Sequence, residues 1–478
     1  KIELNEAILG IYINVDNDKL VIFSSNDQSF YRYYYWEAYT ASKTSIKVYN
    51  VQDKSSPTLT RNVTLDGSYF SSRMIGNYVY TVITKPALLN NNTINLPVIY
   101  SNEQTGSVPV THIYYSNVTD YGYSFSTVIA VNVQNDLEQP THETFLIGAA
   151  SNMFVSLGNI YLAIPGQQDA FGIDRTLIYR IRIEGGGIES QASGAVPGRV
   201  LNQFSMDEYY GDFRIATTTG SLWSGDSRNH VYVLNVSLAI VGRLEGLARG
   251  EQIYSARFVG EKFYLVTFRK VDPLFVIDLQ DPKNPRVLGE LKITGYSDYL
   301  HPYDENHVIG IGKEAAAVEL GDFSWYQGVK ISFFDVSNPL YPQEIAKDEI
   351  GDRGTDSPVL RDHKAFLFDK EKQLLVIPVL VAKIDASKYP SGVPSNAYGD
   401  YVWQGAYVYN ITLEGLELRG NITHIENGIG LQSNYYYYSP FSVKRALYVD
   451  SVLYTISDKK IMMNSLESLE NLGEILLP

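Results

Sequence analysis

The residues able to do chemistry are scattered along the chain. Asp207, Glu208 and Asp272 are carboxylates of the kind that work in pairs in glycoside cleavage, across a gap of ~5–9.5 Å. His301 and His363 are nitrogen ligands or proton carriers, and Asp362 precedes His363. Arg257 and Arg269 add positive charge. Glu349, Asp352 and Asp356 offer oxygens to a Ca²⁺ ion, as does Asp16-Asn17-Asp18, which lacks the Gly and the downstream Glu of a loop site. No G-x-S-x-G, H-E-x-x-H or P-loop occurs. With no Cys, disulfides and Cys-ligated zinc are excluded. A Ser–His–Asp set is assembled by the fold and not by spacing. The elements that position these groups therefore have to be found first.

The clearest element runs from Asp272 to Gly312. Leu274 to Asp278 is a β-rich run, and Asp281-Pro282 with Asn284-Pro285 makes a turn no helix can hold. Val287 to Ile293 is a second run, Gly295 breaks it, and His307 to Ile311 belongs to the next pair. The end of one strand recurs: Val-Ile-Asp278-Leu matches Phe-Phe-Asp335-Val, and matches the runs ending at Asn50, Asn132, Asn235 and Asn410. Weaker copies end at Arg182 and Asn464. The closest copies lie about 40–50 residues apart, the length of a four-stranded propeller blade. Hairpins fill the gaps, with Gly76, Gly158, Gly211 and Gly260 turning into β-branched and aromatic runs. A blade cannot bury both faces alone, so blades stack around an axis. The expected fold is all-β, a single β-propeller over residues 1–478, with eight four-stranded blades favoured and seven the alternative.

The stretches NQFSMDE (Asn202–Glu208), FRIATTT (Phe213–Thr219), EQIYSARFVG (Glu251–Gly260), YLVTF (Tyr264–Phe268), DPLF (Asp272–Phe275), YLHPY (Tyr299–Tyr303) and DHKAF (Asp362–Phe366) carry a resemblance. They are similar to the secreted archaeal and bacterial β-propeller family, distantly related to WD40 repeats. The match is strongest from about 200 to 380. It implies a secreted propeller and little about chemistry.

The blades fall at about 7–66, 67–148, 149–198, 199–248, 251–296, 297–353, 356–424 and 437–478. Four hold insertions: Asp27–Thr44, Lys85–Ser126, Lys313–Gln327 and Lys383–Gly405. Each falls between the second and third strand of its blade, so all leave on one face, while the other face keeps tight turns. Loops on a rigid scaffold carry function, although surface loops also lengthen at little thermodynamic cost. Tyr occurs 38 times against 19 Phe, and the clusters Tyr31–Tyr35 and Tyr435–Tyr438 exceed what β-propensity asks for.

The net charge of −14 argues against nucleic acid, which wants a basic stripe. No apolar run is long enough for a membrane-spanning helix. The chain starts at Lys1, which allows a leader or anchor upstream. Six N-x-Ser/Thr sequons, at Asn62, Asn91, Asn117, Asn235, Asn410 and Asn421, together with the resemblance, favour a glycosylated protein outside the cell or on its surface.

Aligning the hairpins puts Asp207 level with Arg257 of the next blade, with Arg73 at the same height, and predicts an inter-blade ion pair of buried charges. The wider set Asp207, Glu208, Arg257, Arg269, Asp272, His301 and His363 is the candidate axial cluster for an anion or a sugar. Asp362-His363 also fits a hydrogen-bonded brace of the blades. The expected function is a non-catalytic binding, adhesion or assembly module working through its insertion face, on surface proteins, copies of itself or glycans, with no cofactor. The alternative is a secreted hydrolase of glycans or peptides with an axial active site.

Overall fold

The computed structural model describes residues 2–26, 42–90, 92–101, 104–115, 123–166, 168, 172–268, 272–317, 324–425 and 439–478. The two tyrosine clusters, Arg269, Asn91 and Asn117 lie outside them. Among the described residues regular structure is strand, with short 3₁₀ turns and no α-helix. Eight sheets follow in chain order, each built on a four-strand antiparallel meander: 7–66, 68–147, 152–197, 206–247, 252–293, 296–350, 367–422 and 445–476. The chain forms two compact units, 1–220 with 232–242, and 221–231 with 243–478. Sheets one to three lie in the first and sheets five to eight in the second.

The insertion at 85–126 is more than a loop. Val98–Ser101 pairs with the last strand of the first sheet, Thr58–Asp66, and Gln104–Ser107 extends it. Ile113–Tyr115 adds a parallel fifth strand beside Thr141–Ile147 in the second sheet. An outer strand presents unpaired backbone groups, and the β-rich parts of the insertion satisfy them. The insertion at 383–405 is shortened by its own hairpin, whose strands reach Lys383 on one side and begin at Asp400 on the other.

Burial on both faces explains why these strands read as continuous apolar runs. In Tyr78–Pro86, Val79 and Ile83 join the core cluster that holds Val21, Phe23, Ile46 and Val63. The alternate residues Tyr80 and Val82 point the other way, into the cluster of Met153, Ile160, Leu162 and Tyr179. One strand thus glues its sheet to two neighbours, through the period of two. In the second unit Tyr264, Val266, Leu274 and Val276 pack with Leu300, Val308 and Phe334 in the same manner.

One irregularity repeats. The first strand of a sheet carries a β-bulge near its start, which leaves one residue without an opposite number. That residue is Leu9 in the first sheet, Phe70 in the second, Tyr254 in the fifth and Asp298 in the sixth. In the sixth sheet the chain beside the bulge is so close that Gly312 has no room for a Cβ, which would meet the backbone of Tyr296 and Ser297.

Gly312→Ala should therefore cost about 2–3 kcal/mol by overpacking, whereas Gly158→Ala, where a Cβ meets nothing within 4 Å, should stay within about 0.5 kcal/mol of the parent. Urea unfolding of the two variants measures this; equal midpoints would contradict the close approach.

Candidate functional site

The expected cluster divides between the two units. In the first, Asp207 stands opposite Arg214 across the hairpin of Met206–Tyr209 with Asp212–Thr219. Arg214 Nε donates to Asp207 Oδ2 at 2.9 Å and Nη2 reaches the same oxygen. The guanidinium lies 4.6 Å from the Tyr209 ring centre, and only 4% of the Arg214 side chain is exposed. The counter-charge that Asp207 takes is that of Arg214, its directly opposed cross-strand neighbour, where the hairpin count points to Arg257. Burial pushes the Asp207 carboxyl above its ordinary range, against the pull of Arg214. Glu208 accepts from Ser156 Oγ at 2.8 Å and from Asn159 Nδ2 at 3.0 Å. Arg73, expected to be buried, is exposed.

In the second unit Tyr299 gathers three of the others. Its hydroxyl is 3.0 Å from His301 Nδ1, its ring is 6.3 Å from that of His363, and Arg257 lends it positive field. His301 packs on Phe366 and Phe368 at 4.9 and 5.1 Å between ring centres. Burial, then the charge of Arg257, push His301 down to about 4, so it is neutral at pH 7. Asp362 caps the short turn His363–Ala365 through Lys364 N and pairs with Arg445 at 2.5 Å. Asp272 starts a strand, Asp272–Asp278. The acidic residues expected to gather oxygens face different partners: Glu349 meets Lys347, Asp352 accepts from Ile384 N, and Asp356 pairs with Arg361. No cluster of three or more His, Asp or Glu with metal-binding geometry occurs among the described residues.

The second unit also holds a site that sequence reasoning overlooked, built on the bulges of the fifth and sixth sheets. Ser255 Oγ donates to Ser297 O at 2.6 Å, a buried bond that ties one bulge to the other. The extra residues are Tyr254 and Asp298. Around them Tyr254, Tyr296, Tyr326 and Phe268 form an aromatic wall, with Tyr254–Tyr296 and Tyr296–Tyr326 ring centres at 4.6 and 5.0 Å. The Tyr254 and Tyr326 hydroxyls meet at 3.0 Å. Lys313, opposite Tyr296 in the sheet, donates to Thr355 O at 2.7 Å and stands 3.8 Å from Asp356. Arg361 pairs with the other oxygen of Asp356.

Described residues of two insertions meet beside these groups, at Arg353. The Arg353 guanidinium lies 4.6 Å from the Trp325 ring centre and 5.8 Å from that of Tyr398, so it links both loops. Arg353 Nη1 donates to Tyr326 O at 3.0 Å, Gly399 N to Arg353 O at 2.8 Å, and Gln327 Nε2 to Ser395 O at 3.0 Å. Gly354, at φ +111°, passes where a Cβ would strike Tyr398 and Ala382 at 2.6 and 3.0 Å.

Half-buried Asp298 accepts no hydrogen bond from the described residues. Burial raises its carboxyl to about 7, against the fields of Lys313 and Arg361 and with that of Asp356. Such a group exchanges a proton near neutral pH and is free to bond a ligand. The signal was present: Tyr296-Ser-Asp298-Tyr-Leu-His301 aligns with Gln252-Ile-Tyr254-Ser-Ala-Arg257, and puts an acid where the other copies have an apolar or aromatic residue.

The raised carboxyl has a thermodynamic signature. The folded chain holds the Asp298 proton more tightly than the unfolded chain does, so this group's contribution is fully present below the ordinary aspartate value of 3.8 and is lost as pH rises to about 7. Asp298→Asn should flatten the fall in stability across that window by up to roughly 4 kcal/mol. Chemical denaturation at a series of pH values measures it, and parallel curves for parent and variant would show that Asp298 titrates normally.

Comparison with known proteins supplies the family. The chain is 38% identical over 266 residues to an uncharacterized protein of Methanocaldococcus jannaschii, covering 55% of this chain and 35% of that protein. It is 33% identical over 309 residues to an uncharacterized protein of Archaeoglobus fulgidus, covering 64% and 39%. It thus spans little more than a third of the length of either relative. Among solved structures, the β-propeller domain of the trilobed protease from Pyrococcus furiosus matches at 10% identity and TM-score 0.34, covering 86% of this chain and 95% of that one. Acylaminoacyl peptidase of Pyrococcus horikoshii matches at 10% and TM-score 0.29, covering 78% and 58%. With eight antiparallel meanders in series and a family match across residues 1–469, the chain belongs to the Beta propeller domain family.

Proposed function

We propose that the chain is a recognition module, working outside the cell or at its surface, that binds a hydroxyl-rich ligand such as a glycan at the insertion end of its second unit. The observation that carries this is Asp298, a carboxyl with no hydrogen bond from the described residues, set in a wall of tyrosines beside two loops locked together by Arg353. Loops already fixed on each other lose little freedom when a ligand arrives, so binding energy is retained. Tyr326, the exposed ring of the wall, can stack on the apolar face of a sugar while Tyr296 and Phe268 back it from the core, and a carboxyl in either protonation state bonds the sugar's hydroxyls. For the extracellular setting the support is indirect: Asn62 and Asn421 are exposed at their sequons.

A second reading has its own observation. A carboxyl near pH 7 beside an ion-paired carboxylate is the arrangement that lets one group give a proton while the other stays charged. On this reading Asp298 is the proton donor and Asp356 the anionic partner of a hydrolase.

Glycan-array screening followed by calorimetry tests both. Arg353→Ala should weaken glycan binding by about tenfold or more with little change in melting temperature, since it frees the loops and not the sheets. Asp298→Asn should weaken binding without abolishing it if the site only binds. Loss of a hydrolytic activity towards the bound glycan in Asp298→Asn, with binding kept, would favour the hydrolase. Absence of any glycan binding by the parent would remove the first reading.

A further inference from the structure

A cleft of another kind lies in the first unit, far along the chain from Asp298. A cleft of about 330 Å³ is lined by Tyr114, Tyr115, Phe145, Tyr179, Gln191 and Ser193 among others. That size is at the small end of pockets that hold small molecules. Its walls come from two sources. Tyr114 and Tyr115 belong to the added parallel strand Ile113–Tyr115, and so owe their place to the long insertion of the second sheet. Gln191 and its neighbours belong to Gly187–Pro197, the outer strand of the third sheet.

Both walls are arranged outward. Tyr114 stands opposite Phe145 in the ladder and stacks on it at 5.5 Å with an interplanar angle of 25°. It is nevertheless 46% exposed, and Tyr115 is 59% exposed. One face of the Tyr114 ring is therefore covered by the protein and the other is open. On the opposite wall the register passes from Arg180–Ala192 to Ile181–Ser190, which makes Gln191 the extra residue of a bulge. A bulge removes its residue from the ladder and re-aims the side chain, here an exposed amide with both donors and an acceptor. Ser190 and Ser193 add hydroxyls, and Phe145 and Ile147 give an apolar floor.

Among the described residues the lining contains no charged group. A phosphate, a carboxylate or an ammonium group would find no counter-charge there, and burying one unpaired is costly. A purely apolar ligand would leave the Gln191 amide and the serine hydroxyls facing it unbonded. What matches a flat aromatic face on one side and neutral donors and acceptors on the other is a neutral pyranose ring, apolar across its C–H face and polar at its rim. We propose that this cleft is a subsite for a neutral sugar, independent of the Asp298 site.

The test is calorimetry or ligand-observed NMR of the whole chain with neutral tetrasaccharides of glucose, mannose, galactose and N-acetylglucosamine, with a uronic-acid tetrasaccharide as the charged comparison. Parent and variants are compared for each probe. At least one neutral probe should bind, the Tyr114→Ala change should weaken it by about tenfold or more, and Tyr114→Phe should keep the binding, since stacking and not the hydroxyl carries it. Should Tyr114→Ala disturb the added strand, Gln191→Ala serves instead. Its side chain is exposed and outside the ladder, so the fold is spared and affinity should still fall. The loss caused by Tyr114→Ala should be the same in the parent and in an Asp298→Asn background, which separates this site from the other. Absence of binding by every neutral probe, a preference for the uronic acid, or affinity that survives both Tyr114→Ala and Gln191→Ala would overturn the proposal.

Discussion

A strand pressed on both faces has little room for an unpaired charge. In each unit the middle strands give alternate residues to the cores on either side, so most positions of the ladder are committed to packing, and a charge that enters it is paired, as Arg214 is with Asp207. A carboxyl left open to a ligand needs a place where the ladder is interrupted, as Asp298 has. The bulges supply such interruptions at a fixed point of the first strand, and Ser255 bonded to Ser297 O holds two of them together. Asp298, the tyrosine wall and the cations around Asp356 all follow from that constraint. The neutral cleft obeys it too, since Gln191 is the extra residue of an outer bulge and Tyr114 lies on a strand added outside the meander.

The repeat was legible because it rests on local features, namely the apolar run, the terminal Asp or Asn and the glycine turn. Asn50, Asn132, Asp278, Asp335 and Asn410 each close or nearly close a third strand. The side chains of Asn50, Asn132, Asp278 and Asp335 then accept from the turn that follows, as Asp278 Oδ1 does from Gln280 N at 3.0 Å and Asp335 Oδ1 from Ser337 N at 2.8 Å. That local bond is the physical reason the residue type recurs.

The site was less legible, for two reasons. Height along a strand was judged by counting from the hairpin, and counting finds residues that are level without showing which one they touch. Asp207 and Arg257 are level by that count, yet the residue bonded to Asp207 is Arg214, seven positions on in the same hairpin. The second reason is that Asp298 gets its character from groups remote in sequence, Lys313, Asp356 and Arg361, and from burial. No spacing rule encodes a carboxyl whose neighbours arrive from another strand and a connecting loop. The insertion at 85–126 differs in the opposite sense: it reads as a surface loop, and its short β-rich pieces find the edges of two sheets.

The repeated bulge has a consequence for how such chains change over generations. Leu9, Phe70, Tyr254 and Asp298 occupy equivalent points in four copies, and none of the four is paired across its hairpin. A single codon change there rewrites what a sheet presents to a ligand while leaving the hydrogen-bonded frame as it was. Relatives that keep the frame therefore need not keep the chemistry. Overall identity then measures shared ancestry of the scaffold, and the handful of extra residues is where a lineage can vary its surface without disturbing that frame.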